Sequence, residues 1–200
     1  FGSGTFSGAR TYLSQYVVVD PIGIELEAKA LEVLGVKDPL ELLSVDERAI
    51  LTTPWHKMVN RAKEQARGHG SHGSCGKGIG EAWLDQRAGK LGITWGDVLE
   101  SGFKQKLRRF AEMKMEELRE PRLWDALDDM QRAYCENSMF PQFQGELAMR
   151  YYLIAGQTGY LEPGRPAWTT NSYPDPGEVL FEGAQGCLLD ADLGFFPHVT

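Results

Sequence analysis

The stretch GSHGSCGKGIGEAW, Gly70 to Trp83, decides how the rest of this 200-residue chain is read. Five of the eleven residues from Gly70 to Gly80 are glycine. Glycine loses more conformational entropy on folding than any other residue. Such a cluster therefore marks either a surface loop that moves or a place where bare backbone N–H groups must approach something. Two familiar phosphate-binding devices do not fit. A P-loop needs glycine, four residues and then Gly-Lys-Ser/Thr; here Gly78 follows Gly76-Lys77, and Ser71 occupies the first glycine position. The dinucleotide fingerprint follows a strand directly, whereas RAKEQARGHGSH upstream reads as helix and turn. What remains is a non-standard glycine loop before a helix N-terminus, where exposed amides and the helix dipole favour an anion.

Working outward, Trp55 to Arg67 suits a helix stopped by Gly68, and Glu81 to Arg87 starts another beyond the loop. Tyr16-Val-Val-Val19, closed by Asp20-Pro21, reads as a buried strand, and Ile50 to Thr53 as a second one. Ile24 to Leu34 alternates acids with leucines at helical spacing and ends at Gly35. Thr94 is placed to cap a helix TWGDVLESGF, with Asp97 as its capping-box partner. Phe103 to Glu120 reads as a long surface helix with a solvated charged face held by i,i+4 pairs. Leu123 to Cys135 and Gln144 to Ala155 are further helices, 164–177 is a loop, and Glu178 to Glu182 is a strand running into Gly183-Ala-Gln-Gly186. Strands alternating with helices predict an α/β class with a mostly parallel sheet flanked by helices. Three strands make a thin sheet for so many helices, which suggests a part of something larger.

Composition excludes several classes. A hydrophobic content of 42% with 24% charged residues belongs to an ordinary soluble domain, and runs such as LAMRYYLIAG fall short of a membrane span. The formal charge of −7 argues against nucleic acid as a partner but not against a small anion held by local amides. Cys75, Cys135 and Cys187 are an odd number and form no disulfide framework, so free thiols and a cytoplasmic location are expected, and Phe1-Gly-Ser-Gly has no signal-peptide character. His69-x-x-His72-x-x-Cys75 has a spacing that a metal could use, yet a structural zinc needs four ligands and no matching pair lies elsewhere. No metal site is expected. Cys187 follows Gly186 with no histidine beside it in sequence, a weak nucleophile signal.

The last segment, VLFEGAQGCLLDADLGFFPHVT, Val179 to Thr200, is more specific. It resembles the adenylosuccinate synthetase family, in which a strand-turn of the form EGAQGxLLDxDxGxxPxVT lines the nucleotide site. The glycine loop is similar to that family's GTTGxGIGPAY, with Gly76, Gly78, Ile79, Gly80 and Ala82 in place and Trp83 for the tyrosine. Ser3-Gly4, Val17 to Pro21 and Leu91 to Asp97 have counterparts in the same order, so the resemblance covers essentially the whole chain. It implies a P-loop-like nucleotide ligase fold, here partial, that joins L-aspartate to the 6-position of a purine nucleotide (IMP or a guanine nucleotide). The 6-oxygen is phosphorylated at the expense of GTP (or ATP) with Mg2+, and the phosphate is then displaced by the aspartate amine. It also implies a homodimer.

Carried over by position, the resemblance implies that Gln185 sits at the reacting 6-oxygen as the catalytic carboxamide. Thr200, with Ser74, Cys75 and Gly76, is implied at the 5′-phosphate. A basic residue that crosses the dimer interface to that phosphate best matches Lys90, with Arg87 as second choice. Departures are also visible: Ser74-Cys75 replaces a threonine pair, Glu81 replaces a proline, and a lysine at 90 lacks the bidentate reach of an arginine. They point toward a divergent branch such as the phage-like relatives that act on guanine nucleotides. Residues 1–200 are then the central segment of one domain, with the N-terminal catalytic loop, the Mg2+ and triphosphate ligands and the C-terminal part outside it. The alternative is a non-catalytic nucleotide-binding or regulatory module derived from the same fold.

Overall fold

The computed structural model describes residues 1–70 and 73–161, together with the isolated positions 180 and 183. The loop expected over 164–177, most of the strand expected over 178–182, and both Gln185 and Thr200 lie outside the described residues. The elements below belong to the unit that comprises Phe1 and Ser3–Arg165.

Two small sheets, both parallel, carry the strands. Strands β1 (Thr11–Leu13) and β3 (Leu43–Asp46) pair in register Thr11↔Leu43. On the other side of β3, β5 (Gly159–Leu161) pairs Ser44↔Gly159. The second sheet pairs β2 (Val18–Val19) with β4 (Ile50–Leu51), Val18 opposite Ile50. The strand expected from Tyr16 is thus shorter than its apolar run. Tyr16 is 86% exposed and only Val19 is buried, because the ladder reaches just two residues.

Helices supply most of the core. In α1 (Pro21–Val33), Ile24, Ala28 and Leu31 are buried at helical spacing. Helix α2 (Pro54–Arg67) starts with proline at its first position, where no N–H is needed, behind Thr53 as N-cap. It ends at Gly68 with φ +55°, a conformation that suits glycine. Helix α3 (Ile79–Arg87) follows the glycine loop, and α4 (Phe103–Leu118) packs against α2. Helix α4 keeps the solvated face expected of it, with Lys104, Arg108, Arg109, Glu112 and Glu116 exposed and an Arg108–Glu112 i,i+4 pair. On its other side it buries Phe103, Leu107, Phe110, Ala111, Lys114, Met115 and Leu118. Those positions recur at three- and four-residue spacing, so the helix contributes a full apolar stripe to the interior.

The helix expected over Leu123–Cys135 is two, α5 (Pro121–Trp124) and α6 (Asp129–Asn137). Asp128 breaks the run by capping α6: its Oδ1 accepts from Gln131 N at 2.8 Å, and Gln131 Oε1 accepts from Asp128 N at 3.0 Å. Helix α7 (Pro141–Gln157) packs on α1 and α4. The helix expected after Thr94 is only a 3-10 turn, Gly96–Leu99. There Asp97 Oδ2 accepts from Thr94 N at 2.7 Å and from Thr94 Oγ1 at 3.1 Å, which closes the turn instead of starting an α-helix. Among the described residues no helix is long and apolar enough to cross a membrane.

Candidate functional site

The glycine loop lies along α2, with Gly78 against its first turn and Ser74 and Gly73 against Asn60 and Glu64 further on. Gly73, Gly76 and Gly78 all have positive φ, between +67° and +72°. At Gly78, the N-cap of α3, a Cβ would stand 2.7 Å from His56 C and from Lys57 N and 2.9 Å from His56 Cβ. Backbone therefore meets backbone there, and only glycine fits. Three side chains from below fix the loop. Thr52 Oγ1 donates to Lys77 O at 2.9 Å, Ser74 Oγ donates to Asn60 Oδ1 at 2.9 Å, and Glu64 Oε2 accepts from Gly73 N at 3.2 Å. Cys75 is exposed, and Gly78 leads its amides into the N-terminus of α3. Ser74, Cys75 and Gly76 are thus presented together on one exposed turn.

Behind the loop lies a network of charges. His56 Nδ1 accepts from Thr53 N at 3.1 Å, so the ring proton is assigned to Nε2, which faces Asp85 Oδ2 at 3.4 Å. Lys114 Nζ, with its side chain fully buried, lies 2.6 Å from Asp85 Oδ2 and 2.7 Å from Glu117 Oε2. Lys63 Nζ joins Glu81 Oε2 at 2.6 Å to Glu117 Oε1 at 2.9 Å. The network therefore ties α2, α3 and α4 together directly beneath the glycine loop. Asp85 and Lys114 are each buried, and taking such charges out of water is costly unless each is paired. Burial is the largest influence on Asp85 and pushes its carboxyl up; hydrogen bonds from His56, Lys114 and Lys90 and the charge of Lys114 together outweigh it and hold the group well below the usual carboxylate range. Burial likewise dominates at His56 and keeps the imidazole neutral, with its pKa lowered.

Lys90 lies at the far end of α3 from the loop. Its Nζ is 3.2 Å from Asp85 Oδ1 and 3.8 Å from Glu117 Oε2, so in this chain it approaches the same carboxylates. Arg87 stacks its guanidinium 4.6 Å above the Trp83 ring. The structure gathers Ser74, Cys75 and Gly76 but holds Lys90 and Arg87 apart from them, at the C-terminal side of α3. A groove of about 810 Å3 runs along the Trp83 and Gln86 face of α3 and is also lined by Tyr16, Arg48, Thr94 and Glu100. None of Ser74, Cys75, Gly76 and Lys90 lines it, so among the described residues the concavity and the anion-favouring loop are separate places.

Sequence reasoning missed the His56–Asp85–Lys114 network. The signal was available at Lys114, which falls on the same stripe as Leu107, Phe110, Ala111 and Leu118. A lysine on the apolar stripe of a core helix requires a buried partner. Among the described residues no group of three or more His, Cys, Asp or Glu side chains is arranged to hold a metal ion.

A family model described as adenylosuccinate synthetase matches residues 1–200. Among curated relatives, the adenylosuccinate synthetase of Clostridium novyi (strain NT) is 35% identical over 195 residues, covering 94% of this chain and 40% of the relative. That of Clostridium botulinum (strain 657 / Type Ba4) is 33% identical over 192 residues, covering 92% and 40%. Among solved structures, a fully ligated adenylosuccinate synthetase from Plasmodium falciparum superposes with a TM-score of 0.58 over 96% of this chain and 40% of that one. Its sequence identity is 16%, so this likeness speaks for the fold. The chain thus spans about 40% of the length of the relatives it matches.

Proposed function

The chain belongs to the adenylosuccinate synthetase family, and from that premise we propose that its protein is a purine nucleotide ligase to which this segment contributes the monophosphate half of the site. The reaction is the joining of L-aspartate to C6 of a 6-oxopurine nucleotide, IMP or a guanine nucleotide, with hydrolysis of GTP or ATP. The observation that carries this reading is the glycine loop: positive-φ glycines, a neighbouring hydroxyl and a helix N-terminus on a rigid base, in a chain matched by the family model along its whole length.

In this reading the amides around Ser74, Cys75 and Gly76 hold the 5′-phosphate and orient the purine. Lys90, or Arg87 as second choice, adds the cation, from across a homodimer interface as the resemblance implies. Thr200 adds a hydroxyl to the same phosphate. The Gln185 carboxamide donates an N–H to the 6-oxygen and stabilises the negative charge that this oxygen carries once the N1 proton has left and before it attacks the γ-phosphate. An oxo group is a poor leaving group and a phosphate a good one, so the amine of aspartate can then displace it at C6. Mg2+ would supply charge neutralisation on the triphosphate. The described residues offer no donor cluster that fits it, and none of them is assigned to it.

The test is an assay of the full-length protein for phosphate release and C–N bond formation with aspartate, GTP or ATP, and IMP or GMP. Aspartate-dependent turnover with one 6-oxopurine nucleotide is the expected result. Absence of turnover with every pair overturns the ligase and favours a binding module. In the same assay Gln185→Ala lowers kcat far more than it weakens nucleotide binding; an unchanged kcat removes Gln185 from the mechanism.

A further inference from the structure

Two lysines approach the same two carboxylates from opposite sides. Lys114 does so from the interior, with 0% of its side chain exposed and contacts of 2.6 Å and 2.7 Å to Asp85 and Glu117. Lys90 does so from the solvent side, 46% exposed, with longer contacts of 3.2 Å and 3.8 Å. Long, half-exposed ion pairs contribute little, so Lys90 can leave its partners at small cost. That holds only while another cation neutralises Asp85, which is 4% exposed and cannot be left as a lone buried charge. With neutral His56, the network balances: Lys63, Lys90 and Lys114 face Glu81, Asp85 and Glu117.

We propose that Lys114 is a positioning residue for nucleotide binding: by neutralising Asp85 and Glu117 from within, it leaves Lys90 available to a phosphate. The proposal rests on the reading above that Lys90 meets the monophosphate. Without Lys114, Asp85 retains Lys90 as its compensating charge and removes it from the ligand. Lys114 itself touches no ligand, so its effect passes entirely through Lys90.

The experiment is calorimetric titration of the full-length protein with IMP and with GMP, alongside urea unfolding of each variant. Lys90→Ala is expected to weaken binding about tenfold, the loss of one charge-assisted contact. Lys114→Met matches that loss, Lys114→Arg restores affinity, and in the Lys90→Ala background Lys114→Met has no further effect. The double variant Lys114→Met with Asp85→Asn recovers affinity, because the anion that captures Lys90 is gone. Lys114→Met without effect, or a double variant as weak as Lys114→Met alone, overturns the proposal while leaving Lys90 in place. Wild-type affinity in Lys90→Ala instead overturns the placement of Lys90 and the proposal with it. If Lys114→Met does not fold, Asp85→Asn decides: affinity at or above wild type supports the proposal, and weaker binding overturns it.

Discussion

Gly78 carries more of the site than its size suggests. Its φ of +72° places an L-residue in the left-handed region, at a cost of about 1–2 kcal/mol. A Cβ there would also press on the backbone of His56 and Lys57 at 2.7 Å. Gly78→Ala is therefore expected to destabilise the protein by more than about 2 kcal/mol in urea unfolding, strain and overlap together. Gly80, whose Cβ would meet nothing within 4 Å, is the control: Gly80→Ala lies inside α3 and stabilises or leaves stability unchanged. Equal effects of the two would show that the loop does not rest on α2. At Ser74 the hydroxyl donates to Asn60, so its oxygen is oriented before any ligand arrives. Asn60→Leu is expected to weaken monophosphate binding several-fold in a titration, with little change in the unfolding midpoint, since Ser74 is exposed and loses only its orientation.

At the scale of elements, α2 is the platform. Thr53 Oγ1 accepts from His56 N at 3.4 Å while His56 Nδ1 accepts from Thr53 N at 3.1 Å, a capping box in which imidazole takes the place of the usual carboxylate. Thr53→Ala is expected to cost about 1 kcal/mol in the unfolding midpoint, and to loosen His56, hence the loop above it. Hydrogen exchange at the amides of Gly76 to Gly80 reads that loosening. The start and stop of α2 were legible in the sequence because Pro54 and Gly68 punctuate them. Helix α7, Pro141–Gln157, instead extends past both ends of the expected Gln144–Ala155 and carries Gly145 and Gly156 inside it. Strand β3 was not legible: Leu43-Ser44-Val45-Asp46 alternates apolar and polar residues for only four positions, too short a run to stand out, and all four are buried. Strands β1 and β5 are three residues each and make sense only through their pairing with β3. In helix α4 the solvated charged face was legible, with Arg108 and Glu112 paired on it, but Lys114 belongs to the buried stripe instead. The glycine loop itself was readable; the charges beneath it, drawn from three helices far apart in sequence, were not.

Across the whole molecule, pH acts through the buried network. Both His56 and Asp85 have folded pKa values below their ordinary ones, so over the affected range the unfolded chain binds more protons than the folded one. Stability therefore falls on acidification. The His56 contribution erodes as pH drops below about 6.5, its unfolded value, and the Asp85 contribution is fully present above about 3.9 and lost below it. The urea midpoint is expected to decline steadily from pH 7 to pH 4, and His56→Gln is expected to flatten the upper part of that decline. A flat profile between pH 7 and pH 5 in the parent would contradict the neutral, buried imidazole.

The central claim is that the amides bared at Ser74–Gly76 receive the phosphate of a purine mononucleotide. A crystal structure of the full-length protein with IMP or GMP tests it directly. The account predicts phosphate oxygens within hydrogen-bonding distance of the backbone N–H groups of Cys75 and Gly76. A nucleotide whose phosphate lies instead in the groove lined by Tyr16, Arg48 and Trp83, with the glycine loop untouched, would contradict it.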